Sequence, residues 1–250
     1  ALLVTWMVED WVDSEPNLFY TWVSSTIGLM LALFSLSLLR WGHKLSWPVM
    51  KFPRAYYSLG LLPVMVTLLF WQFFASEKSG DPGLFSYIPI LNPLDLAQAF
   101  AVVVMVYWLW FINKSVENKW LSIPSIVVVL TGGMMSFAWI NVVIARSVHS
   151  FAGVNYSDYS MINSSVFQTS TSIVWSVVAM ALMAVAFRKA SRHFWFAGAG
   201  LLALVVLKLF FVDLAESGSI SRIVSFLVVG GLMLVIGYLS PLPPKSEVKN

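Results

Sequence analysis

A charged or hydrogen-bonding side chain inside a long apolar stretch is costly to bury. Each one is therefore a candidate for function or for a paired structural role. Asn141, Arg146 and His149 fall near the end of one such stretch. At roughly 100° per helical residue they share an arc of about 140°, a basic and polar face suited to an anionic head group or a glycan. The competing reading is an interfacial anchor in which Arg146 pairs with an acid across the bundle, Asp158 or Asp213. Lys208 precedes Asp213 by five residues. It either snorkels to the interface and complements a helix C-terminus, pairs with Asp213, or serves as a buried functional cation. Gln168, Thr171, Ser172 and Trp175 follow the i, i+3, i+4, i+7 spacing of one helical stripe. Such a stripe serves inter-helix hydrogen bonding or a glycan-binding platform. Arg222, with Glu216 close by and Ser219 or Ser221 as N-cap, opens a further apolar run. Asp95, Asp213 and His149 are the acid–base candidates.

The elements that position these groups follow from composition. Of 250 residues, 59% are hydrophobic and 11% charged, and the mean hydropathy is +0.81. A soluble domain carries about 25% charged residues, so this chain is expected to be an all-α, polytopic transmembrane bundle. Seven apolar segments are long enough to span: 19–39, 57–75, 96–112, 124–145, 166–187, 195–212 and 223–239. Pro63, inside the second, is expected to kink it. The pairs Gly132–Gly133 and Gly230–Gly231 suit close helix contact. Lys and Arg cluster in alternate loops: Arg40, Lys44, Lys51 and Arg54; Lys114 and Lys119; Arg188, Lys189 and Arg192; and Lys245 and Lys249 in the tail. The positive-inside rule then places the N-terminus out and the C-terminus in. Residues 1–18 read as the end of a preceding span plus an acidic outer segment, 19–244 as one transmembrane domain, and 245–250 as a cytoplasmic tail.

Loop 41–56 mixes Trp, Phe and Tyr with basic residues and is suited to lying on a lipid surface. The basic residues do not form one stripe, so no nucleic-acid partner is expected. With no Cys, disulfides, thiolate metal sites and cysteine catalysis are excluded. His43, His149 and His193 are dispersed, so no metal is expected, and no nucleotide or hydrolase motif calls for a cofactor.

The stretch Tyr87-Ile-Pro-Ile-Leu-Asn-Pro-Leu-Asp-Leu-Ala-Gln98 resembles a signature of a bacterial family of predicted membrane proteins labelled domain of unknown function 2339. Trp139–His149, Lys208–Leu214, Arg222–Phe226 and Gly237–Pro244 resemble it too. The resemblance covers roughly residues 85–244 and implies the C-terminal part of a longer chain in the bacterial cytoplasmic (inner) membrane. It supplies no catalytic residue. It adds Asn92 to the group Asp95, Asn141, Arg146, His149, Gln168, Lys208, Asp213 and Arg222. These residues are expected to form one ligand-binding cluster on the outer half.

The expected function is a scaffold or binding component for a lipid-linked or glycan ligand at the outer leaflet. A transporter or flippase, and a membrane-embedded transferase acting on envelope polymers, are the alternatives. Expected partners are membrane lipids, such a ligand, and preceding helices of a longer chain or other membrane subunits.

Overall fold

A computed structural model describes residues 16–83, 86–114, 125–189 and 192–210, together with Gly230 and Leu234. The described elements are helical: α1 (Pro16–Trp41), a 3-10 turn (Gly42–Lys44), a π-wound turn (Ala55–Gly60), α2 (Leu61–Ser76), α3 (Pro93–Lys114), α4 (Ser125–Ala152), the short α5 (Asp158–Ile162), α6 (Ser165–Lys189) and α7 (Arg192–Lys208). Among the described residues, five segments are long and apolar enough to cross a membrane: Tyr20–Lys44, Ala55–Ser76, Pro93–Lys114, Ile126–Ala152 and Ser165–Lys189. Phe194–Lys208 is a shorter apolar helix. The expected seventh span, 223–239, lies outside the described residues apart from positions 230 and 234.

The chain separates into two compact units, residues 1–161 and 162–250. In the first, α1 packs along α3, and α3 along α4. Hydrogen bonds fix the helix directions. Trp71, late in α2, donates through Nε1 to the Ser24 carbonyl early in α1 (3.0 Å). Trp108, late in α3, donates to the Tyr57 carbonyl just before α2 (2.9 Å). Neighbours in sequence therefore run antiparallel. The core between them is apolar, with Leu61, Met65, Leu68, Ala101, Met105 and Ile112 all buried. α1 buries small polar residues, Thr21, Ser24, Ser25 and Ser35, alongside Ala32 and Leu39. Ser25 and Ser35 return their hydroxyls to the carbonyls of Thr21 (2.6 Å) and Leu31 (2.8 Å). That satisfies each hydroxyl inside its own helix and lets the backbones approach closely.

Three local features refine the expectations. Pro63 lies within the continuous helical run Ala55–Ser76, just past the point where π winding over Ala55–Gly60 gives way to α winding, and such a change of winding is one way a helix accommodates a ring that has no N–H to donate. Helix α4 runs to Ala152, past the expected 145. The sequence offers no stop before Gly153, which takes φ +68° and donates its N–H to the His149 carbonyl (3.1 Å), as a helix-ending glycine does. Of the paired glycines, a Cβ on Gly132 would meet Val106 at 3.0 Å, whereas one on Gly133 or Gly230 would meet nothing within 4 Å.

In the second unit α6 and α7 form an antiparallel pair. Gly198 of α7 lies so close to α6 that a Cβ would come within 2.9 Å of the Ala179 carbonyl.

Gly28, buried in α1, sits beneath the Trp71 indole, which leaves no room for a Cβ. Gly28→Val is expected to destabilise the protein by about 1–3 kcal/mol, read as a lower thermal midpoint in detergent. Gly133→Ala is expected to be neutral or slightly stabilising, because alanine is the better helix former.

Candidate functional site

The first turn of α3 is built by Asn92-Pro93-Leu94-Asp95. The Asn92 side-chain oxygen accepts the Leu94 N–H (2.9 Å), as an N-cap does, and Pro93 occupies the first helical position, where its ring is pre-organised. Asp95 then falls in the first turn, where the positive end of the helix favours a carboxylate. At the opposite pole of its neighbour, the C-terminus of α2 presents carbonyls that no helical N–H can reach.

Arg146 of α4 reaches both ends. Its Nη1 donates to the Asp95 carboxylate and to Gln98 Oε1 (2.7 Å for the latter). Its Nη2 donates to the Ala75 carbonyl (2.6 Å) and its Nε to the Lys78 carbonyl (3.0 Å). Both side chains of the ion pair are 0% exposed. The second Asp95 oxygen accepts from the Tyr87 hydroxyl (2.8 Å), and the Asp95 carbonyl accepts from Trp139 Nε1 (3.0 Å). Gln98 donates to Ser76 Oγ (3.1 Å), Tyr156 donates its hydroxyl to the Ser76 carbonyl (2.7 Å), and Asn92 donates to the Gly80 carbonyl (2.5 Å). The guanidinium thus neutralises a carboxylate at one helix N-terminus while capping the carbonyls at another helix's C-terminus.

Residues 77–83 and 86–92 close over this network. Gly80 has φ +70°, and a Cβ there would sit 3.1 Å from Arg146 Nε. Ile90 takes φ 70°, a strained conformation for a β-branched residue, two residues before the Asn92 cap. Trp22 ties the loop to α1 by donating to the Pro82 carbonyl (3.2 Å). Lys78 lies over the Tyr20 ring, 4.8 Å from its centroid.

The expectation that Arg146 pairs with Asp158 or Asp213 is corrected. Its acid is Asp95, because the antiparallel turn of α3 onto α4 brings the start of one against the end of the other. Asp158 is exposed at the start of α5, and Asp213 lies outside the described residues, as does Arg222. Asn141 donates to the Phe137 carbonyl of its own helix (2.8 Å). Gln168 and Lys208 meet in the second unit: Lys208 Nζ donates to the Gln168 carbonyl and to Ser172 Oγ, both at 2.8 Å. The Gln168 amide donates to the Ile162 carbonyl (2.8 Å). Of the polar stripe on α6, Ser172 meets α7, whereas Thr171 returns its hydroxyl to the Phe167 carbonyl of its own helix (2.8 Å).

Gln98, Tyr87, Tyr156 and Gly80 belong to the network without having been singled out as candidates. Gln98 had a signal, since it lies three residues after Asp95 on the same helical face. The tyrosines and Gly80 come from loops, where no periodicity operates.

Beside the network lies an open cleft of about 470 Å³, lined by Ser79, Asp81, Ser86, Tyr87, His149, Ser150 and Phe151. His149 is half-buried, with Nδ1 2.7 Å from the Val154 carbonyl. A carbonyl only accepts, so Nδ1 carries the hydrogen, and in the neutral ring Nε2 is the acceptor. Phe151 is 69% exposed and packs edge-on to Tyr87, with ring centroids 6.2 Å apart. Among the described residues no group of three or more His, Cys, Asp or Glu is placed to hold a metal ion.

Tyr87 and Tyr156 lie in the loops outside the spans. Burial raises the Tyr87 phenol well above its ordinary value of 10.0, and the Asp95 carboxylate adds to the shift. Burial also raises Tyr156.

Removing Arg146 orphans a buried carboxylate. Arg146→Met is expected to cost about 3–5 kcal/mol, and Arg146→Met with Asp95→Leu is expected to recover part of that loss, both read by thermal melting in detergent. The folded state holds the two phenol protons more tightly than the unfolded chain does. Their contribution is therefore complete below about pH 10 and declines as the pH rises beyond it. Tyr87→Phe is expected to flatten that alkaline decline, measured as melting temperature against pH.

The family model described as Predicted membrane protein (DUF2339) matches residues 1–243. The match takes in the opening helices as well as the stretch from residue 85 onward that carries the quoted motifs. No curated protein and no solved structure matches the chain. With the match running over nearly its whole length, the chain belongs to the DUF2339 family of predicted membrane proteins.

Proposed function

We propose that this integral membrane protein is a non-enzymatic scaffold of the bacterial cytoplasmic membrane that presents a cleft for a glycan or for the head of a lipid-linked ligand at the outer leaflet. The observation that carries the scaffold reading is saturation. Arg146, Asp95, Gln98 and Asn92 are all 0% exposed, and their polar atoms are engaged by other parts of the protein. A carboxylate that is 0% exposed and already bonded through both oxygens is out of a substrate's reach, so Asp95 is a poor acid–base group. The orientation that suits this reading puts basic loop 40–54 in the cytoplasm and the Arg146 end outside.

The ligand part of the reading rests on the cleft. Hydroxyls from Ser79, Ser86 and Ser150, the Asp81 carboxylate and His149 stand beside the exposed ring of Phe151. A pyranose offers the matching chemistry, with hydroxyls at its rim and an apolar C–H face for the aromatic ring. Transport is less favoured, because a midplane site made by broken helices has no counterpart in the continuous α1, α3, α4 and α6. One observation keeps a transferase reading as the second choice: the His149 tautomer leaves Nε2 as a base.

The test is saturation-transfer NMR on the detergent-solubilised protein with two probes, a trisaccharide of glucose and one of N-acetylglucosamine. Transfer to ring protons is expected, with affinity falling roughly ten-fold in Phe151→Ala at unchanged melting temperature. Absence of transfer to both sugars would remove the ligand part. Consumption of either sugar, abolished by His149→Ala, would replace the scaffold with the transferase.

A further inference from the structure

The segment joining α1 to α2 lies at the far end of the first unit from Arg146, since α2 begins beside it and ends at the network. It is an ordered run of turns. Leu45 donates to the Gly42 carbonyl (3.0 Å), Met50 to Leu45 (3.1 Å), Phe52 to Pro48 (3.2 Å) and Ala55 to Phe52 (3.1 Å). Two buried residues pin it to the core, Val49 at 2% exposure and Tyr57 at 7%.

What it holds outward is unusual for a surface connection. Trp41, Leu45, Trp47, Met50 and Phe52 are exposed, Trp47 at 71%. Interleaved with them, Arg40, Lys44, Lys51 and Arg54 are exposed as well. The Lys51 ammonium lies 5.8 Å from the centroid of the Phe52 ring. No Asp or Glu occurs between residues 16 and 76, so the segment itself carries no acid to offset its positive charge. The pinned backbone means that the aromatic side chains are displayed by the fold and are not waiting to enter its core.

An interface that is anionic at its surface and apolar just beneath satisfies both sets of side chains at once. Aromatic rings and long apolar chains enter at the level of the acyl carbons, while basic groups remain among phosphates. An acidic protein surface would answer the charge and leave the tryptophans in water. We propose that residues 40–54 form a binding surface for anionic phospholipid head groups, which seats this end of the first unit in a negatively charged leaflet.

The test uses the full chain purified in a neutral detergent and titrated separately with short-chain phosphatidylglycerol and phosphatidylcholine, with bound lipid counted by native mass spectrometry. The wild type is expected to retain phosphatidylglycerol preferentially, with the preference shrinking as salt rises. Each basic residue removed is expected to weaken that retention roughly five-fold at low salt. Combined R40Q, K44Q and K51Q then lowers it on the order of 100-fold. These side chains are exposed, so the melting temperature in detergent without lipid is expected to be unchanged. Lys78→Gln, at the other end of the unit, is expected to keep the preference. Trp47→Ala with Phe52→Ala is expected to weaken both lipids alike. Equal retention of the two lipids by the wild type, or an undiminished preference in the triple variant, would overturn the proposal.

Discussion

A guanidinium with no access to water must find all of its hydrogen-bond acceptors in the protein, and in this fold they come from three different places. Arg146 takes a carboxylate and an amide from the start of α3, a carbonyl from the last turn of α2, and another from the loop between them. Burying such a charge is offset only when the geometry satisfies every donor, and removing a partner leaves an uncompensated ion. The arrangement therefore tolerates little drift. It sets which end of α2 meets which end of α3, and how far α4 must extend to deliver the arginine.

Much of the surrounding structure follows from that demand. Loop 77–92 cannot carry a side chain at Gly80 without pressing on the guanidinium. Asn92 serves twice, as the cap of α3 and as a brace on the Gly80 carbonyl. Tyr87 and Tyr156 close the network from the loops, and their phenols remain protonated because burial disfavours the phenolate. The polar groups that looked most like a binding site on α3 and α4 are thus the ones least free to bind anything. An open cleft lined by His149, Asp81 and Phe151 lies beside them.

The two ends of the first unit have different physical characters. One is a closed ionic network roofed by a loop. The other is an open run of turns that displays tryptophan and phenylalanine among basic residues. The apolar core lies between them. The second unit uses a milder form of the same economy: Lys208 is held by a carbonyl and a hydroxyl one turn apart on the neighbouring helix.

Composition and hydropathy alone determined that the chain is helical and crosses a membrane. Too few charges exist to cover a water-facing surface, and apolar runs of span length leave the backbone only helical ways to satisfy itself. The cap at Asn92-Pro93 and the helical face shared by Asp95 and Gln98 were also legible, because both depend on residues within one turn. Which acid answers Arg146 was not. Asp95 lies 51 residues away, and only the antiparallel return of α4 along α3 brings the two together, so the expectation of Asp158 or Asp213 as the acid across the bundle did not hold. The length of α4 needed the structure too, since Gly153 stops a helix only if the chain reaches it still helical. The division of the candidate residues between a sealed network, an open cleft and a separate lysine contact was decided by tertiary packing. Burial and hydrogen-bond saturation are properties of neighbours in space, and a sequence does not record them.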